Sequence, residues 1–363
     1  MTLRYGFTSV DRKRMAIATA ILALILTACA SGARAQKFNP PSTFSDVQLI
    51  VNPRLTIERA HHLHTTVNGA VRRRLAPAAL KAGPGPPTPS AMLFAGSGEE
   101  SAAGESLWNV WVDGTHTDIK DSHPVSGYQG PQNSVIAAAD YQFTDRIIAG
   151  LLFNYNDSDV RNLFQPGSST TETHGVGPYV GVVLTDKLVF DALLLANWTD
   201  NFGKDATDIA RYDSDGWIAS ANLTGYWYFD NLRFSPGVGV SLTSTEDDPY
   251  VDTSGAAFSA LTTRTGTANV AAILGYTITL DDARSIEPFV TLEGEWEFKN
   301  SSSPSTVTAT APVVSREWNL RASAGVDVTL PRDRYLTIRG DFGGLNQSRF
   351  RTYAINGNIG FRF

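Results

Sequence analysis

From Leu107 to the C-terminus the chain alternates apolar and polar positions with period two. Trp108, Val110 and Val112 interleave with Asn109, Trp111 and Asp113. Such alternation belongs to extended strands with two unlike faces. Further segments of this kind fall near 132–143, 147–159, 171–184, 188–200, 215–229, 231–244, 263–280, 286–299, 315–330, 334–346 and 350–363. They predict about twelve strands, many of about 12–14 residues, where globular sheets favour ~5–6.

The connections sort into two kinds. Thr144-Asp145-Arg146, Thr185-Asp186-Lys187, Asp230-Asn231, Asp281 to Ser285 and Pro331 to Asp333 are tight and polar. The intervening connections, 119–131, 160–170, 201–214, 245–262 and 300–314, read as long loops, with Gln347–Arg349 as the one short exception. One simple rim and one elaborated rim predict an antiparallel up-and-down transmembrane β-barrel with short inner turns and longer outer loops.

Face by face, Ile286, Val290, Leu292, Gly294, Trp296 and Phe298 oppose Glu287, Phe289, Thr291, Glu293, Glu295, Glu297 and Lys299. Trp318, Leu320 and Ala322 oppose Asn319, Arg321 and Ser323, while Leu336, Ile338 and Phe342 oppose Thr337, Arg339 and Asp341. In a membrane barrel the apolar face meets lipid and the polar face lines the lumen. Glu293, Glu295, Glu297, Arg321, Arg339 and Asp341 are then lumenal, and opposite charges on neighbouring strands can pair. Periodicity alone also fits a large soluble β-sandwich. Aromatic residues near strand ends favour the membrane: Trp108, Tyr141, Phe143, Trp198, Tyr226, Trp227, Tyr228, Trp296, Trp318 and Tyr335 suit a headgroup girdle.

The first hundred residues differ. Arg12-Lys13-Arg14 precede an uncharged stretch from Ala16 to Ala28, and Ala33-Arg34-Ala35 follows. A basic start, an apolar stretch too short to span a bilayer and small residues before Gln36 read as a secretory signal peptide over 1–35. Cleavage after Ala35 is the expected route. Leu26-Thr27-Ala28-Cys29 offers a lipoprotein-type alternative that would leave an acylated Cys29. Residues 36–105 form a short N-terminal segment with a candidate helix at 54–75, interrupted before its start at Pro53, and a flexible linker at 76–105. Ile57, Leu63, Val67 and Val71 lie near helical spacing, and Arg72, Arg73 and Arg74 suit the negative end of the helix dipole. Thr65, Thr66, Val67 and Gly69 make it a mediocre helix former.

Charge and chemistry narrow the functional classes. A net charge of −6 leaves no basic footprint for nucleic acid, and the single Cys29 allows no internal disulfide. His116, His123 and His174 fall near outer acidic residues, where an Asp–His pair would resemble a hydrolytic site, yet no Gly-x-Ser-x-Gly stretch accompanies them. They read as ordinary loop residues. Glu58 and His61 share a helix face but supply too few ligands for a closed metal site, and Glu246-Asp247-Asp248 reads as a solvated loop. No enzyme activity, cofactor or metal is expected.

The chain ends Gly357-Asn358-Ile359-Gly360-Phe361-Arg362-Phe363, apolar at alternate positions up to a terminal aromatic. An exported chain that spans a bilayer without a long apolar helix must do so as a closed barrel. Residues 106–363 resemble the β-barrel translocator domain of bacterial autotransporters, in strand number, connection pattern and ending. The resemblance implies a Gram-negative outer membrane, surrounding lipid, and assembly by the barrel assembly machinery through Gly357, Ile359, Phe361 and Phe363. It also implies that a helix threads the lumen, with Arg59 and Arg72–Arg74 meeting lumenal glutamates. The long passenger usual in that family has no counterpart here. Three functions are expected in order: export or anchoring of the short N-terminal segment, a porin-like channel, and surface adhesion to an unidentified host or cell-surface ligand through the outer loops.

Overall fold

The computed structural model describes residues 44–81, 107–124, 127–164, 166–281, 284–303 and 318–363. The expected leader at 1–35 with both cleavage points, and linker residues 82–105, lie outside them. So does most of the expected loop at 300–314.

Among the described residues, twelve long strands follow one helix, α1 (Phe44–Lys81). They are β1 (Trp108–Asp121), β2 (Tyr128–Thr144), β3 (Ile147–Asn162), β4 (Gly167–Thr185), β5 (Leu188–Asp205), β6 (Ile209–Gly225), β8 (Leu232–Asp247), β11 (Leu261–Tyr276), β13 (Arg284–Ser303), β14 (Trp318–Leu330), β15 (Arg334–Gly343) and β16 (Phe350–Arg362). Two short pieces, β7 (Trp227–Phe229) and β12 (Ile278–Asp281), extend the neighbouring ladders, and β9 (Tyr250–Val251) pairs β10 (Ala257–Phe258) as a separate hairpin. Each long strand pairs antiparallel with its chain neighbour, and β16 returns to β1 with Ile359 opposite Val112 and Phe361 opposite Val110. Trp108 N–H donates to the Phe363 carbonyl at 3.0 Å and Phe363 N–H donates to the Trp108 carbonyl at 3.0 Å. These bonds seal the cylinder at its seam, so the terminal aromatic completes the ladder rather than fraying. A closed ladder leaves no row of unpaired backbone groups facing hydrocarbon, where each would cost several kcal/mol.

The tight turns lie where expected. Asp230, Arg332 and Asp333 take positive φ of 52°, 63° and 54°, the left-handed conformation that two-residue hairpins need and that Asp accepts with little strain. The opposite rim differs from expectation. Four of its loops are shorter because the strands run further: β5 and β6 continue to Asp205 and from Ile209, and β3 and β4 to Asn162 and from Gly167. Beyond the lipid both faces of a hairpin can be polar, so alternation vanishes while the backbone ladder persists. Polarity there reads as loop although the hydrogen bonds are those of a sheet.

The outer face is apolar. Leu151, Phe153, Leu194, Val290, Leu292 and Ile355 are exposed. Trp108 and Phe143 are exposed at strand ends as a girdle requires, whereas Trp198 and Trp296, also exposed, lie near the middle of the lengthened β5 and β13. Tyr226, Tyr228 and Tyr335 do not belong to it. Tyr226 and Tyr335 are buried in the interior cluster and Tyr228 packs against that cluster. Lys299 stands beyond a register irregularity between β11 and β13 and is exposed, unlike the glutamates before it.

Helix α1 lies inside the cylinder. It spans more than residues 54–75, passing through Pro53 and taking in residues 76–81 of the expected linker. Propensity does not explain this. Proline removes one backbone donor, and Thr65 bonds back to the His61 carbonyl at 3.0 Å, a habit that weakens helices. Enclosure supplies the missing stability, as tertiary packing does for most helices in proteins.

Candidate functional site in the lumen

The lumen has two unlike walls, and α1 has a face for each. Leu63, Val67, Ala70, Val71 and Leu75 recur at helical spacing and pack against Ile148, Leu152, Tyr179, Val183, Leu193 and Leu195 of β3 to β5. Gly181 on β4 leaves the room: a Cβ there would lie 2.5 Å from Val71 Cγ1. Pattern reading treats a lumen as polar, and the apolar wall was missed for that reason. One signal was present. In "VFDALLLANW" both alternating sets of β5 are apolar, with Leu194 facing outward and Leu193 and Leu195 inward.

The opposite wall is charged. Arg321 on β14 is buried between Glu58 of α1, with which it forms an ion pair, and Glu295, 3.4 Å from its Nε. Asn319 also donates to Glu295. Glu293 accepts from Asn269 at 3.0 Å and faces His61 Nδ1 at 3.6 Å. Arg339 pairs with Asp341 at 2.9 Å and donates to Thr65 of α1 at 3.3 Å. Glu297 is buried on the same wall. The six sequence-predicted residues therefore share one wall, and Glu293, Glu295, Arg321 and Arg339 contact or face the helix or one another through these pairs.

The helix arginines take other partners than those expected. Arg72 pairs with Asp327, and Arg73 donates to Asn358 at 2.9 Å and Thr337 at 3.2 Å. Arg74 Nε lies 3.3 Å from Asp140. The acids they meet are thus aspartates on β14 and β2 rather than the glutamates of β13, which are engaged by Arg321, Asn269 and His61. Arg59 makes no ion pair among the described residues.

Further buried polar pairs escaped the sequence reading. Asp140 accepts from Asn109 and from the Tyr179 hydroxyl, both at 2.7 Å, and Tyr179 accepts from Trp111 at 3.0 Å. Asp191 accepts from Asn68 of α1 and from Asn222, both at 2.7 Å. Arg233 is buried against Glu287 at 2.5 Å. Each of these acids sits at an inward position of its strand, which was legible, but its partner lies dozens of residues away, which was not.

The histidines disperse. His62 faces Asp113 at 3.1 Å and His64 faces Asn269 at 3.4 Å, while Glu58 is held by Arg321. Outside, His116 bonds Asn133 at 2.7 Å and His174 lies against Tyr155. Among the described residues no group of three or more His, Cys, Asp or Glu side chains could hold a metal ion. Of the acidic stretch at 246–248, Asp247 accepts from Ser214 at 2.7 Å rather than standing in solvent. Three cavities beside α1 have volumes of about 90, 40 and 40 Å³, room for a few waters each.

A closed cylinder of twelve strands, apolar outside and carrying a packed helix within, defines an outer-membrane β-barrel of the translocator type. The chain belongs to the autotransporter beta-domain family, whose model matches residues 110–343. Among solved structures it is similar to the translocator domain of the autotransporter NalP from Neisseria meningitidis, at 14% identity and a TM-score of 0.57, covering 75% of this chain and 93% of that one. It is also similar to the beta domain of the Bordetella autotransporter Brka, at 18% identity and a TM-score of 0.59, covering 71% of this chain and 100% of that one. At these identities the likeness shows the fold. Among curated proteins no sequence matches this chain significantly.

Proposed function

We propose that this barrel exports its own short N-terminal segment and then anchors it at the cell surface, with α1 remaining seated in the lumen and no enzymatic role. The direction of α1 carries the reading. Arg74 donates to the Leu107 carbonyl at 3.0 Å, beside the rim of tight turns. Val51 and Leu55 pack with Ile119, Tyr128 and Phe350 at the opposite rim. If the tight turns are periplasmic, as in barrels of this kind, residues before α1 emerge outside. Bipartite packing of α1 supports a permanent seat, and the small cavities argue against a porin-like channel. The signal peptide over 1–35, outer-membrane residence in a Gram-negative cell, and recognition of Gly357, Ile359, Phe361 and Phe363 by the assembly machinery belong to the same reading. An epitope placed after Gln36 tests it. Antibody should reach the epitope on intact cells, and protease added outside should remove it. An epitope reached only after the outer membrane is permeabilised would sink the proposal. So would a large, steady conductance of the purified protein in planar bilayers.

A further inference from the structure

Arg59 is a buried helix cation of the lumen that forms no ion pair among the described residues. It is buried, with 7% of its surface exposed, and its Nε has no hydrogen-bond partner. Arginine cannot escape this position by losing its proton. A buried charge requires compensation from nearby opposite charge or from oriented dipoles.

Its surroundings supply hydrogen-bond donors. Arg59 borders a cavity of about 40 Å³ between α1 and the walls of β2 to β8. Thr173 and Thr199 on that wall share one hydrogen bond at 3.0 Å, and Thr171 shares one with Ser158 at 2.7 Å. In each pair one hydroxyl donates to the other, so the second keeps a proton for another acceptor. Asp247 borders the same cavity, but its carboxylate is bonded by Ser214 and forms no ion pair with Arg59. A guanidinium and spare hydroxyl protons lining a small, half-open cavity favour a negative occupant. The volume corresponds to about three water-sized particles, which favours a small ion.

We propose that this cavity binds a small monovalent inorganic anion of the halide class, held by the Arg59 guanidinium and by the free hydroxyl protons of the Thr173–Thr199 and Thr171–Ser158 pairs. The anion completes the packing of α1 near the outer rim, where no side chain among the described residues neutralises Arg59. Asp247 weakens the site by repulsion.

The test uses the full folded chain in detergent. Its unfolding temperature is compared in sodium chloride, sodium bromide and sodium gluconate at equal ionic strength, and crystals grown in bromide are examined by anomalous scattering. The expected results are an unfolding temperature several degrees higher in either halide, a bromide peak in this cavity, and a larger halide effect in Asp247→Asn. In Arg59→Met both the halide dependence and the peak should vanish. An unfolding temperature indifferent to halide in the unaltered chain overturns the proposal. Loss of stability in Asp247→Asn without any halide effect also overturns it, because Arg59 and Asp247 would then be a water-bridged pair. A bromide peak without stabilisation identifies an adventitious ion only and counts against the proposal as well. Should Arg59→Met fail to fold, the halide shifts of the unaltered chain and of Asp247→Asn, with the bromide map, still decide.

Discussion

Arg321, on the wall of the barrel, forms a buried ion pair with Glu58, on the helix inside it, across 263 positions of sequence. Glu295 flanks the same guanidinium at 3.4 Å. Removing Arg321 strands two buried carboxylates, and breaking a buried pair costs about 3–5 kcal/mol. Arg321→Met should therefore lower the temperature at which the folded band converts to the unfolded band on heated gels. Glu58→Gln should cost less, since Glu295 still compensates the arginine. Equal, negligible shifts in both variants would mean that the helix does not sit against this wall.

The seat of α1 on the apolar wall depends on Gly181, where a Cβ would meet Val71 at 2.5 Å and Leu75 at 3.1 Å. Gly181→Val should overpack this contact at a cost of about 1–3 kcal/mol. Adding Val71→Ala should restore part of the loss. Thermal unfolding of the single and double variants, arranged as a cycle, measures the coupling. Strict additivity would show that the two side chains do not meet.

Leu193 and Leu194 are consecutive and face opposite environments, 4% and 52% exposed respectively. Leu194→Arg places a charge in lipid, with an expected cost of about 2–4 kcal/mol near the bilayer midplane. Leu193→Ala removes packing against α1, at about 2–5 kcal/mol. Folding titrations in lipid vesicles check both values. A Leu194→Arg variant as stable as the unaltered chain would place that face in water.

The outer hairpin carries a pH-dependent turn. Asp252 accepts from Ser254 Oγ at 2.6 Å and from the Ser254 and Ala256 amides, both at 2.9 Å. The Ser254 hydroxyl, with these backbone amides, holds its carboxyl below the usual range. A lowered folded pKa means that the turn is fully supported above the unfolded value of about 3.9. The support is lost as pH falls through the folded value. The protection of the Ser254 and Ala256 amides from hydrogen exchange, taken relative to the intrinsic rate at each pH, should fall only at acid pH, and Asp252→Ala should remove that fall. Protection that is constant through the acid range in the unaltered chain would contradict the assignment.

Much of this protein could be read from its residues in order. Period-two alternation of about twelve segments, tight polar turns and an apolar ending define strands with one lipid face, because a closed ladder is the β-structure that satisfies the backbone in hydrocarbon. Inward positions such as Glu293, Arg321 and Asp341 follow from the same period. Three things required the fold. Strand ends beyond the lipid were hidden, since polar residues on both faces erase alternation while the ladder continues. The length of α1 was hidden, since enclosure rather than propensity keeps Pro53 and Gly69 helical. The partners were hidden above all. Closure of the cylinder decides that Arg74 meets Asp140, that Arg321 meets Glu58, and that Arg59 meets no carboxylate among the described residues. Periodicity fixes which way a side chain points, but what it points at depends on the rotation and depth of the helix in the lumen, and only packing against both walls sets these.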